Sequence, residues 1–309
     1  MADCNELFLR FNDNITLIPS EKKYLRKART AITTKILNNF SAKSQIPPIE
    51  FKVQGSFTMN TIIRPLNGEF DIDIGIYFKF QENDRDQWAT PQTVSGWVFN
   101  AVKNHTSIPP ENKITCVRVT YKPITPGSDY GYHVDLPIYG EYENWWGSRY
   151  KVIGMNDNRQ WNEKSDPLAF TEWFNEKCLK NEKDKKQLIR IVKYLKAWKD
   201  FQTKDIKMPS GMILTVIAAK NFQPHERDDV ALYNTLNEIC SLLWWSFSVT
   251  KPVEPENNLV AENIFSSRRK VFFMERLREL RDDAYSATRC DSSDEAISLW
   301  QKHFGERFN

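Results

Sequence analysis

Apolar and polar positions alternate with a period of two in four short runs of the first half of the chain. They recur at three- and four-residue intervals through most of the second half. The first pattern is that of half-buried strands, the second that of helices with one buried side. Strands are predicted over 51–54, 70–80, 114–121 and 132–139. Within 70–80, Ile72, Ile74 and Ile76 take one face and Asp71 and Asp73 the other; within 132–139, Val134, Leu136 and Ile138 oppose His133 and Asp135. A helix over 20–40 follows from the stripe Leu25, Ala28, Ile32, Ile36 and Phe40, and a shorter one over 93–103 from Val94, Trp97, Val98 and Ala101. The stretch 140–164 has no steady period and predicts a connector that also rims a cleft. Beyond it, helices are predicted over 183–201, 212–222, 229–247, 267–287 and 293–304, with Pro252 and Pro255 as breaks. The expected fold is an α/β lobe with a mixed sheet over 1–165, followed by a helical lobe over 166–309.

Composition narrows the class. A chain of 309 residues, 40% hydrophobic and 27% charged, can bury a sizeable core, and no run of about 18 apolar residues suggests a membrane span. Met1-Ala2-Asp3 carries an acid where a secretory signal would be basic, so a cytoplasmic protein is expected. The five cysteines, Cys4, Cys116, Cys178, Cys240 and Cys290, are too scattered for a disulfide framework or a zinc cluster. A net charge of +3 is low for a protein whose main partner is long nucleic acid. Lys22, Lys23, Arg26, Lys27 and Arg29, and separately Arg268-Arg269-Lys270, read as solvated helix faces.

The chemistry concentrates in three places. Asp71 and Asp73 stand side by side on a strand, where they repel each other unless a cation lies between them. A hard divalent ion such as Mg²⁺ relieves that repulsion and fills its remaining positions with phosphate and water. Upstream, Gln54-Gly55-Ser56-Phe57 offers a glycine that lets backbone approach an anion and a serine with both an N–H and a hydroxyl. Taken singly, an Asp-x-Asp also fits a solvated strand edge and a Gly-Ser also fits a plain turn. Asp135 alone fits a strand-end residue before Pro137; beside the upstream pair the metal role is favoured. Two ions held by Asp71, Asp73 and Asp135 would stabilise the attacking and leaving oxygens of an in-line displacement at phosphorus. On the 183–201 helix, Lys193 and Lys196 are three apart, and either meet a triphosphate on the facing lobe or stay in solvent.

Together these residues resemble the cGAS/DncV-like nucleotidyltransferases, a branch of the polymerase-β-like superfamily that includes bacterial cyclic oligonucleotide synthases. The resemblance rests on Gln54-Gly55-Ser56, Asp71-Ile72-Asp73 and Val134-Asp135-Leu136. It is supported by Arg190-Ile191-Val192-Lys193, by Pro209-Ser210-Gly211-Met212-Ile213-Leu214-Thr215 and by Leu299-Trp300-Gln301-Lys302-His303-Phe304-Gly305. It implies a bilobed polymerase-β-like core with the active site in the cleft between the lobes. By resemblance, Asp71, Asp73 and Asp135 are the catalytic and metal-binding acids. Gln54, Gly55, Ser56, Lys193 and Ser210 would contact nucleotide. The implied cofactors are two Mg²⁺ ions, with Mn²⁺ as a substitute. The implied substrates are ATP together with GTP or another nucleoside triphosphate. The implied product is a cyclic di- or oligonucleotide second messenger in antiphage signalling of the CBASS type, with a regulatory protein from the same defence system as a further partner. The zinc-binding insertion of DNA-sensing animal members has no counterpart here, which points to the bacterial branch that needs no long nucleic acid; no membrane partner is expected either. The alternatives are a linear product, nucleotide addition to an RNA end, or a catalytically silent nucleotide-binding sensor; three intact carboxylates argue against silence.

Overall fold

The computed structural model describes residues 2–41, 43–66, 70–80, 85–123, 131–143, 146–147, 149–157, 160–163, 165–177, 181–202 and 206–309. The chain packs as two compact units. One comprises residues 17–60 and 67–171; the other comprises 1–16, 61–66 and 172–309, so that α1 (Asn5–Ile15) joins the helices of the second half.

The first unit is built on a sheet. α2 (Pro19–Phe40) starts with a proline at its first position, where no intrahelical N–H is needed, and the Glu21 carboxylate accepts the N–H of Ile18 at 2.8 Å. β1 (Ile49–Gln54) runs directly into the single turn α3 (Gly55–Thr58), and β2 (Phe70–Lys79) follows. α4 (Pro91–Val102), capped by the Thr90 hydroxyl on the Thr93 N–H, leads to β3 (Glu111–Asn112), β4 (Cys116–Tyr121) and β5 (Tyr132–Glu143). β6 (Arg149–Met155) and β7 (Gln160–Glu163) complete the described strands. Their order is β1-β2-β5-β4-β3, with β6 joining β5 beyond the end of β4 and β7 joining β6. β2 and β5 are parallel, a pairing that requires a crossover, and α4 with β3 and β4 supplies it; the other pairs are antiparallel. The apolar face of β2 packs on the helices, with the Phe78 ring 6.2 Å from Phe40 and 6.3 Å from Trp97.

The stretch 140–164, expected as a connector, is instead largely strand in its described residues. β5 continues to Glu143, and β6 and β7 add to it in antiparallel register. Backbone pairing to an existing edge supplies the hydrogen bonds without requiring an alternating sequence, which is why periodicity gave no sign of it. Trp161 anchors the addition by donating its indole N–H to the Ala89 carbonyl at 3.2 Å.

α5 (Pro167–Lys177) carries the boundary between the units. The second unit then adds α6 (Glu182–Gln202), α7 (Gly211–Asn221), α8 (Asp228–Trp245), the hairpin of β8 (Thr250–Lys251) and β9 (Glu254–Asn258), α9 (Ser267–Ala287) and α10 (Ser293–Phe304). Its core is aromatic: the ring of Phe8 on α1 lies 5.0 Å from Tyr194, 4.8 Å from Trp300 and 4.9 Å from Phe308. Beside it the Asp228 carboxylate, 1% exposed, receives Arg190 in a two-pronged bond at 2.6 and 2.7 Å, the Gln187 amide at 2.8 Å and the Tyr194 hydroxyl at 2.8 Å. Burial opposes ionisation of Asp228, but these bonds outweigh it and hold the carboxyl below the usual range. Among the described residues, no helix is long and apolar enough to cross a membrane. Cys4, Cys116, Cys240 and Cys290 are free thiols, and Cys178 lies outside the described residues.

Candidate active site

Strand alternation sets which side chains share the polar face of the sheet, and register sets which of them meet. β2 presents Asp71, Asp73, Gly75 and Tyr77 on that face, and β5 presents His133, Asp135, Pro137 and Tyr139. The parallel register puts Asp71 opposite His133 and Asp73 opposite Asp135, while the antiparallel register of β1 puts Gln54 opposite Asp73. Two carboxylates of one strand, Asp71 and Asp73, are thereby set beside a third, Asp135, from a distant part of the sequence. Carboxylate oxygens of Asp71 and Asp135 and a ring nitrogen of His133 all lie within 4.8 Å of one another. His133 Nε2 is 3.8 Å from Asp71 and 4.0 Å from Asp135. The Asp71 side chain is 42% exposed and that of Asp135 only 11%.

The turn after β1 is locked to this corner. Gly55 has φ +72°, a conformation that side chains resist, and a Cβ there would collide with Asp73 Oδ2. Both constraints require glycine. A positive φ followed by the helical backbone of Ser56 turns successive N–H groups to one side, an arrangement suited to an anion.

Sequence reasoning missed Arg118. It stands opposite Asp135 in the β4–β5 register and grips both carboxylate oxygens, Nε to Oδ1 at 2.7 Å and Nη2 to Oδ2 at 2.6 Å. The bond to Asp135 pushes the guanidinium pKa up, despite partial burial. An arginine at a polar position of an otherwise apolar strand was the available signal. Burial, reinforced by Asp135, pushes the thiol of Cys116, two residues earlier on the same face, up to about 12.

The structure thus brings Gln54, Gly55, Asp71, Asp73 and Asp135 together within the sheet unit, with Ser56 next in the turn. Lys193 and Ser210 belong to the helical unit. There Lys193 is buried and its ammonium donates to Thr16 Oγ1 at 2.9 Å. Ser210 caps α7, accepting the Ile213 N–H at 3.3 Å. Lys196, rather than Lys193, runs alongside that cap: its Cε lies 3.3 Å from where a Cβ of Gly211 would be, and its ammonium donates to the carbonyl and hydroxyl of Thr61, each at 2.9 Å.

Residues 49–139 match the family described as cyclic GMP-AMP synthase DncV-like, nucleotidyltransferase domain, and residues 185–309 match the family described as cyclic GMP-AMP synthase, C-terminal domain. A cyclic GMP-AMP synthase of Escherichia albertii is 25% identical over 252 residues, covering 79% of this chain and 52% of that protein. A cyclic AMP-AMP-AMP synthase of an Acinetobacter species is 28% identical over 151 residues, covering 47% of this chain and 43% of that protein. The chain therefore spans about half the length of each of these relatives. The fold is shared with the Vibrio cholerae DncV cyclic AMP-GMP synthase solved in complex with the linear intermediate 5′ pppA(3′,5′)pG, at a TM-score of 0.79 and 20% identity, over 99% of this chain and 96% of that one.

Proposed function

This chain belongs to the DncV-like nucleotidyltransferases, and we propose that it joins nucleoside triphosphates into a cyclic di- or oligonucleotide with release of pyrophosphate. The observation that carries this reading is the register that sets Asp73 opposite Asp135 with Asp71 alongside, next to a turn that only glycine can make.

The corner fits a divalent cation. Two carboxylates and an imidazole offer ligand atoms within 4.8 Å of one another, oxygen donors suit Mg²⁺ or Mn²⁺, and Asp71 is open to solvent. Asp71, Asp73 and Asp135 would hold the metal, two ions in our reading, and His133 is the nitrogen ligand within reach. When bound, the metal neutralises charge on the phosphates and lowers the barrier to displacement at the α-phosphorus. The chain's own residues account for the rest. Gly55 and Ser56 receive the donor phosphates on backbone N–H groups and the serine hydroxyl. Asp135 orients the attacking ribose hydroxyl and accepts its proton, once its bonds to Arg118 are exchanged for those of the loaded site. Arg118, which grips Asp135, carries its positive charge at this corner. On the helical unit, the phosphate contact falls to Lys193 or to its neighbour Lys196, beside the Ser210 cap; without nucleotide, Thr16 holds the first ammonium and Thr61 the second.

A second round of transfer closes the linear intermediate. We read the ring as a second messenger of antiphage, CBASS-type signalling in the cytoplasm, made without long nucleic acid and under control of a protein from the same defence system. The test is incubation of nuclease-treated protein with labelled triphosphates and Mg²⁺ or Mn²⁺, followed by phosphatase. A phosphatase-resistant product is expected. A product trimmed by phosphatase means a linear synthetase, and no product means a silent sensor; either outcome overturns the proposal.

A further inference from the structure

The polar face of the sheet continues past the carboxylates into a buried tyrosine pair. Tyr77 and Tyr139 stand opposite each other in the β2–β5 register, with ring centroids 4.7 Å apart and planes 12° from parallel. Their hydroxyls converge on one amide. Tyr77 donates to Gln54 Oε1 at 3.2 Å, and Gln54 Nε2 donates to the Tyr139 hydroxyl oxygen at 2.9 Å. Burial pushes both phenol pKa values up, so both hydroxyls stay protonated and keep these bonds across the working pH range. Gly75, on the rung between Asp73 and Tyr77, leaves room for this arrangement. A Cβ there would lie 2.6 Å from Gln54 Oε1, 2.8 Å from the Tyr77 ring and 3.1 Å from the Tyr139 ring.

Gln54 itself is 5% exposed, and both polar atoms of its amide are engaged. It is also the last residue of β1 and the one before Gly55. The β1–β2 ladder ends at the Gln54–Asp73 pair, so backbone pairing does not extend to the turn. Glycine has the widest conformational range of any residue, and a loose Gln54 would let Gly55 leave the positive φ at which Asp73 fills the space of its missing side chain. The strand end thus needs an anchor.

We propose that Gln54 is a positioning residue rather than a nucleotide contact: the Tyr77–Tyr139 pair holds its amide, which keeps the Gly55–Ser56 turn seated against the Asp73 carboxylate. The consequence for ligand binding rests on reading that turn and that carboxylate as the phosphate and cation site. The coupling itself does not. The variants are Gln54→Ala, Tyr139→Phe, Tyr77→Phe and the double change Gln54→Ala with Tyr139→Phe; each Tyr→Phe keeps the ring stack and removes one hydroxyl.

Hydrogen exchange in the ligand-free protein tests the coupling. The amides of Met59 and Asn60, bonded to the carbonyls of Gly55 and Phe57, should exchange about tenfold faster in each single variant, with those of β4 unchanged. Unchanged exchange at Met59 and Asn60 overturns the proposal. Direct titration with Mn²⁺ and ATP tests the consequence. The single variants should weaken binding by similar factors, about tenfold, and the double variant no further than Gln54→Ala alone, because one chain of contacts is being cut twice. Loss in Gln54→Ala with full binding in both tyrosine variants would make Gln54 a direct contact and also overturn the proposal. Failure of the unmodified protein to bind Mn²⁺ and ATP would sink the functional reading, while the exchange result would still decide the coupling.

Discussion

Two carboxylate clusters in this chain have opposite designs. In the helical unit Asp228 is buried and its oxygens are satisfied by Arg190, Gln187 and Tyr194, all from α6. Asp229, next to it, is held by Arg227 and accepts the Cys4 N–H at 3.1 Å. Buried charge there is cancelled at short range, and its effect is to tie α1 and α6 to the start of α8. In the sheet unit, Asp71, Asp73 and Asp135 converge on neighbouring strands; Arg118 grips Asp135, and the Asp71 side chain is 42% exposed. A closed cluster serves the fold. An open, convergent one leaves electrostatic work for a ligand to do.

The largest contrast should come from removing one acid of each kind. Asp71→Asn or Asp73→Asn should lower product formation on the order of a hundredfold or more, with a thermal midpoint unchanged or slightly raised because carboxylate repulsion is relieved. Near-normal turnover in Mg²⁺ would break the comparison on the sheet side. Asp228→Ala should do the reverse. Leaving Arg190, Gln187 and the buried Tyr194 hydroxyl without their shared carboxylate should cost about 3–5 kcal/mol in denaturant unfolding. A stability loss under 1 kcal/mol would show that the cluster is not what ties these helices together.

A smaller effect separates the two lysines of α6. Lys196→Ala should weaken triphosphate binding by about 10- to 100-fold, the value of a hydrogen bond to a charged group, and cost on the order of 1–2 kcal/mol of stability through its two bonds to Thr61. Lys193→Ala should cost about 1 kcal/mol of stability through its bond to Thr16 and change binding less. Reversed results would return the phosphate contact to Lys193.

The mildest test is pH. Because the folded pKa of Asp228 lies below that of the unfolded chain, its contribution to stability is fully present above the ordinary carboxylate value of about 4 and is lost as pH falls through the lower folded value. Denaturant midpoints of the helical unit should therefore hold steady from about pH 7 to 5 and decline below about pH 4. Asp228→Ala should flatten that decline; an equally steep decline in the variant would assign it to other groups.

Much of the site was legible because strand alternation is local. Ile72, Ile74 and Ile76 against Asp71 and Asp73, and Val134, Leu136 and Ile138 against His133 and Asp135, follow from a period of two alone. Arg118 was not read, since its partner lies seventeen residues away on another strand. β6 and β7 were missed because their order comes from pairing to β5, and side chains with no period carry no trace of it.

The sequence by itself determined which residues could face a cation and where the long helices α2, α6, α9 and α10 would run, because both depend on spacing along one segment. Tertiary structure alone decided that Asp73 would stand opposite Asp135, that Gln54 would be gripped by Tyr77 and Tyr139, and that α1 would complete the aromatic core of the second half. Register and packing join segments by backbone hydrogen bonds and shape, and no periodicity within one segment encodes the partner it will meet.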